Sequence, residues 1–220
     1  MSNNVSRRRV LQLASLGASL GAFPAAWAQG KKELQEGYDY RLVKPSQPIE
    51  SGKKIEVVEF FWYGCPHCFH FEPVLEPWVK KLPADVAFRR IHVAFRDDFV
   101  PHQRLYYSLE ALGKLPELHK KAFDAFHVQN RPMNNAEQIA DWAAQNGLDR
   151  KTFLDTYNSF SIATKCTRAK QEAEAWKITG VPALGFQGKY LTSASIIGGP
   201  HEKVIEVADR LLDEIRKGKK

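Results

Sequence analysis

An α/β fold is predicted by three features of this 220-residue chain. A β-type run at 55–62 turns directly into a helix-type run at Cys65-Pro66-His67-Cys68. A second β-type run lies at 86–93, and a hairpin pattern returns near the C-terminus after a long helical stretch. The predicted order is β-α-β, a block of helices, then β-β-α.

The first residues carry Arg7-Arg8-Arg9 ahead of an apolar stretch at 10–23, and Ala26-Trp27-Ala28 forms a small-residue cleavage site before Gln29. This is an export signal, too short and too rich in Gly and Ala for a membrane anchor. Cleavage is expected after Ala28, so 1–28 is a signal peptide that directs export. Ser6-Arg7-Arg8-Arg9-Val10-Leu11 approaches a twin-arginine pattern, which leaves the export route open. Loss of the three leader arginines lowers the formal charge from +7 to +4. Arg216, Lys217, Lys219 and Lys220 account for that excess, as a solvated helix end rather than a nucleic-acid patch. The mature chain suffices for one domain with a sizeable core, or for a domain carrying an insertion. No later segment has the length and apolarity to span a bilayer.

The 33–51 stretch reads as an extended arm, because Pro45 and Pro48 break any helix. Residues 55–62 are β-branched and aromatic, as a buried strand requires. After the cysteine motif, Phe69, Phe71, Val74, Leu75, Trp78, Val79 and Leu82 recur at helical steps. Residues 86–93 form the second strand. Between 101 and 177, helical spacing recurs in Leu105/Leu109/Leu112, Leu118/Ala122/Ala125, Ile139/Ala140/Ala143 and Phe153/Leu154/Tyr157. Gly113, Asn130-Arg131-Pro132 and Gly147 separate these pieces. Ala183-Leu184-Gly185-Phe186, Gly188 and Lys189-Tyr190-Leu191 read as a hairpin. Val204, Val207, Ala208, Leu211, Leu212 and Ile215 close the chain as an amphipathic helix.

Cys65 therefore sits where a strand turns into a helix, with Pro66 in the first helical turn, where no hydrogen bond is lost. A thiol at a helix N-terminus faces unpaired N–H groups and the positive end of the helix dipole, and both favour thiolate. His67 adds a donor and some positive charge near the Cys65 sulfur. Each unit by which the Cys65 pKa falls stabilises the dithiol by roughly 1.4 kcal/mol, or roughly 30 mV toward oxidising strength. The motif thus points to redox chemistry, and to donation of a disulfide rather than its reduction. Two rivals compete with this reading. A zinc site needs two further ligands, and the remaining cysteine, Cys166, has no Cys or His near it in sequence. A structural staple across so short a loop would restrict the unfolded chain very little. Ile162, Cys166, Ala169, Ala173 and Trp176 share one helical stripe, which places Cys166 in the core, with a regulatory disulfide as its rival role. His92, His119, His127 and His201 lack metal-ligand spacing and read as core or solvated residues.

Phe60-Phe61-Trp62-Tyr63-Gly64-Cys65-Pro66-His67-Cys68, followed far downstream by Gly180-Val181-Pro182, resembles the DsbA family of periplasmic thiol:disulfide oxidoreductases. The likeness covers essentially the whole mature chain. It implies a thioredoxin-like fold, at 29–98 and 178–220, with an inserted helical domain at 99–177. It also implies oxidation of newly exported, reduced and unfolded proteins by a monomer that uses its Cys65–Cys68 disulfide and needs no cofactor or metal. Reoxidation would come from a membrane quinone reductase of the DsbB type. Residue by residue, Cys65 matches the exposed nucleophile and Cys68 its buried partner. Pro182 matches a cis-proline facing the disulfide, which bares the backbone of Val181 to a substrate strand. Glu59 matches a buried acidic residue under the active site, and Arg90 stands where many relatives carry a lysine. Arginine holds its charge but does not readily pass on a proton.

Overall fold

Residues 33–218 are described by the computed structural model; the export signal expected at 1–28 lies outside the described residues, as do Lys219 and Lys220. Strand β1 is Arg41–Leu42, β2 is Ile55–Phe61, and helix α1, Pro66–Val79, leads to β3, Val86–His92. A 3-10 turn at Asp97–Phe99 opens the helical segment of α2, Val100–Ala111, α3, Leu115–His127, α4, Ala136–Gln145, α5, Arg150–Tyr157, and α6, Phe160–Ala175. The chain then returns through β4, Ala183–Phe186, β5, Tyr190–Thr192, the short α7, Ala194–Ile197, and the long α8, His201–Gly218. This is the thioredoxin-like arrangement with inserted helices that the resemblance implies. The arm at 33–51 differs from its expected form, because Arg41 and Leu42 pair with Leu191 and Tyr190 and become the edge strand β1.

The sheet order is β1-β5-β4-β2-β3, so β2 is an inner strand. It runs parallel to β3 and antiparallel to β4, and all its residues are buried. Alternation along β2 serves two cores. Ile55 and Val57 enter one with Phe71 and Leu75 of α1 and Val207 and Leu211 of α8. Val58 and Phe60 enter the other, which also contains Leu105, Phe123, Trp142 and Ile162 of the helical segment. The helical segment thus shares its core with a face of the sheet. Trp176 seals that contact: its ring lies 5.4 Å from Phe60, and a Cβ at Gly185 would come within 2.4 Å of it. The glycine is what lets the indole close on β4.

Helix boundaries follow local chemistry. Asn135, Asp149 and Ser159 cap α4, α5 and α6 by accepting N–H bonds with their side chains. Gly113 and Gly147, at φ +68° and +89°, end α2 and α4 in the left-handed region. Pro73 and Pro77 lie inside α1, each removing one helical N–H donor. The helix ends at Val79, so Leu82 packs from the following loop.

Candidate active site

Cys65 is the N-cap of α1, in extended conformation, with Pro66 in the first turn. Its Sγ accepts the Cys68 N–H at 3.4 Å, and its carbonyl accepts the first helical bond from Phe69 N–H at 3.1 Å. Both cysteines are thiols. The Cys65 thiol is lowered from 9.0 to about 6, chiefly by a hydrogen bond from the Cys68 thiol. Burial opposes this, while the backbone N–H groups of Cys68 and His67, and lastly the charge of His67, assist. The Cys68 thiol is pushed the other way, above all by burial and then by its bond to Cys65. One sulfur is therefore primed as thiolate and the other is held as thiol.

The resemblance implies an exposed nucleophile, and here the structure corrects it. Cys65 is 6% exposed and Cys68 fully buried. Cys65 belongs to the core shared with the helical segment, and the Val181 carbonyl lies 3.5 Å from its sulfur. The Val181–Pro182 bond is cis, as is Lys44–Pro45, which the sequence reading did not single out. His67 is exposed at the first turn.

Beneath the cysteines, parallel pairing sets Glu59 opposite Arg90. Arg90 Nε donates to Glu59 Oε2 at 2.6 Å, while Nη2 reaches Glu72 at 3.3 Å and Glu76 at 2.8 Å on α1. Burial pushes Glu59 up to about 7, against the pull of Arg90. Glu72 moves the same way for the same reason. Burial alone would lower the guanidinium pKa, but Glu59 and Glu72 outweigh it and raise it. The charge of Glu59 in turn contributes to the raised Cys68 pKa. Arginine serves here as a fork that a lysine could not reproduce, joining carboxylates from a strand and a helix.

Sequence reasoning missed Glu72 and Glu76, although both follow Cys65 and Phe69 down one face of α1 and that spacing could have flagged them. It also missed the surroundings of Trp62 and Tyr63. The Trp62 indole N–H donates to His102 Nδ1 at 2.8 Å, and the Tyr63 N–H donates to His92 Nε2 at 3.1 Å. The Tyr63 hydroxyl meets His119 Nδ1 at 2.9 Å, and its carbonyl accepts from His127 Nε2 at 2.7 Å. Cys166 is buried on α6, and burial raises its thiol to about 11.

A profile of the DSBA-like thioredoxin domain matches residues 56–204. The chain is 43% identical over 184 residues to the thiol:disulfide interchange protein DsbA of Burkholderia cepacia, covering 82% of this chain and 84% of that protein. It is 39% identical over 209 residues to its counterpart from Bordetella pertussis, covering 95% and 97%. Among solved structures, DsbA of Pseudomonas aeruginosa superposes with a TM-score of 0.80 at 39% identity, covering 83% of this chain and 95% of that one. The oxidoreductase DsbA of Xylella fastidiosa gives 0.78 at 28% identity, covering 84% and 98%.

Proposed function

Because the chain belongs to the DSBA-like thioredoxin domain family and is a thiol:disulfide oxidoreductase, we propose that it acts as an oxidase of newly exported proteins in the periplasm. Cys65 and Cys68 form the redox couple, with Pro66 and His67 shaping the turn between them. Residues 29–98 and 178–220 make the thioredoxin-like domain, and 99–177 the inserted helical domain. The signal at 1–28 directs export and is cleaved after Ala28. A membrane quinone reductase of the DsbB type restores the disulfide, and the protein works as a monomer.

In the oxidised protein a substrate thiolate attacks the Cys65 sulfur. The Cys65–Cys68 bond breaks, and Cys68 leaves with the electron pair and takes up a proton. The substrate's second thiolate then attacks its own sulfur in the mixed disulfide, and Cys65 departs as thiolate. Two electrons pass from substrate to protein, and reoxidation passes them on to the membrane partner. The Val181 backbone beside Cys65 offers a place for the substrate strand to pair, with Pro182 holding it there. Trp62, Phe69 and Val181, partly buried against the same core as Cys65, provide apolar contacts for unfolded chains. Glu59, with Arg90, holds a titratable charge under Cys68.

The observation that carries the direction of the reaction is the N-cap position of Cys65, where the Cys68 N–H meets its sulfur. It favours Cys65 as leaving thiolate and so favours release of oxidised substrate. The test uses a Cys68→Ser variant whose Cys65 is first charged as a mixed disulfide with glutathione. It is mixed with a reduced, unfolded substrate bearing paired thiols, so that glutathione leaves as thiolate when a substrate sulfur bonds to Cys65. Mixed disulfides should accumulate on Cys65, and Cys65→Ser should form none and oxidise nothing. A Cys65→Ser protein that still promotes substrate disulfides would overturn the proposal.

A further inference from the structure

Trp62, Tyr63, Gly64 and Cys65 form a turn closed by the Cys65 N–H bonding the Trp62 carbonyl at 3.0 Å. Every polar group of Tyr63 ends on a histidine: its N–H on His92, its hydroxyl on His119, its carbonyl on His127. The indole N–H of Trp62 ends on a fourth, His102. That indole lies flat on Phe99, with centroids 3.6 Å apart, and it also covers Gly64, where a Cβ would approach it to 2.3 Å. His92 closes β3, His102 lies on α2, and His119 and His127 lie on α3.

His127 is the pivot of this arrangement. It donates to Tyr63, two residues before Cys65, and its ring stacks at 4.9 Å on Phe69, whose N–H makes the first helical bond to Cys65. A single side chain from the helical segment thus grips the chain on both sides of the nucleophile. The partners also fix the tautomers. His92 must accept at Nε2 and His102 at Nδ1, so both act as neutral rings, while His127 presents Nε2–H to a carbonyl.

We propose that His92, His102, His119 and His127 are positioning residues of the redox couple, locking the Trp62–Cys65 turn to β3 and the inserted helices. This rests on the oxidase reading above and deepens it, by assigning the helical segment a part in setting the reactivity of Cys65. The physical link is short. The Cys65 sulfur is stabilised by an N–H contact at 3.4 Å, and such contacts weaken steeply with distance and angle. A turn free to shift would lose them while keeping both thiols.

Satisfying the buried polar groups of Tyr63 would by itself affect stability, so the test must read the couple. The variants are His127→Leu, which removes the donor, and His127→Gln, which can return an N–H to the carbonyl. Thiolate absorbance against pH and equilibration with glutathione buffers are measured, with melts of both redox forms. His127→Leu should make Cys65 about three- to tenfold weaker as an acid, and shift the glutathione equilibrium toward the disulfide form. His127→Gln should recover most of that change. Equal loss of melting temperature in both redox forms, with ionisation and glutathione equilibrium as in the wild type, would overturn the proposal. A glutamine variant as impaired as leucine would do the same. If His127→Leu does not fold, Trp62→Phe, which deletes the bond to His102, is judged by the same criteria. A wild-type protein that oxidises no substrate would refute the oxidase reading instead, whatever the variants show.

Discussion

Cys65 ionises at about 6, and that value has a consequence with a definite sign. A depressed thiol pKa stabilises the folded dithiol at pH above it, and the gain is lost as pH falls through about 6. Relative to a thiol of 9.0, the gain grows from about 1 kcal/mol at pH 7 to at most a few kcal/mol above pH 9, solvent screening reducing it further. The reduced protein should therefore melt above the oxidised protein near pH 8, with the gap narrowing below about pH 6. Paired thermal melts across that range check this. His67 has a smaller part than its place in the motif suggests, because its backbone N–H precedes its charge among the contributions. That N–H survives in His67→Ala, so the potential should fall by less than about 30 mV, as glutathione equilibration would show. Cys166, buried and raised to about 11, should react with an alkylating reagent far more slowly than Cys65 in the native dithiol. Mass spectrometry of briefly labelled protein distinguishes the two.

At the scale of elements, Arg90 joins β3 to β2 and α1 through three carboxylates. Arg90→Met should cost about 3–5 kcal/mol, as removal of one partner from a buried ion pair does. The loss should be largest above pH 7 and shrink in acid, because Glu59 and Glu72 are pushed up by burial and can protonate to neutral groups. Urea unfolding at about pH 5 and about pH 8 measures it, and an equal loss at both would contradict the burial argument. The strand β2 and helix α1 were legible in the sequence because their periodicities are local and the cysteine motif marks their junction. Edge strand β1 was not, since two residues carry no periodicity and become a strand by pairing with β5. Glu59 was found through family likeness. Glu72 and Glu76 remained ordinary helix residues until Arg90 was seen to reach them.

Across the whole molecule, what the sequence concealed is long-range. The histidine contacts to Trp62 and Tyr63 join positions 40, 29, 56 and 64 residues apart, from a strand end and two helices. No spacing rule could have gathered them, and the default reading of such histidines as core or solvated residues hid their common target. The β-α-β, helical, β-β-α order was legible because strand and helix patterns alternate cleanly, and family likeness identified it as thioredoxin-like. The shared core of sheet and helical segment was not legible, because it depends on which faces meet. The central claim is that these elements together make Cys65–Cys68 an oxidising couple. Its most direct test is the equilibrium of the mature, folded protein with reduced and oxidised glutathione, followed by the change in thiolate absorbance. A midpoint on the oxidising side of about −180 mV is the expected result; one near about −270 mV, where a reducing dithiol sits, would contradict it.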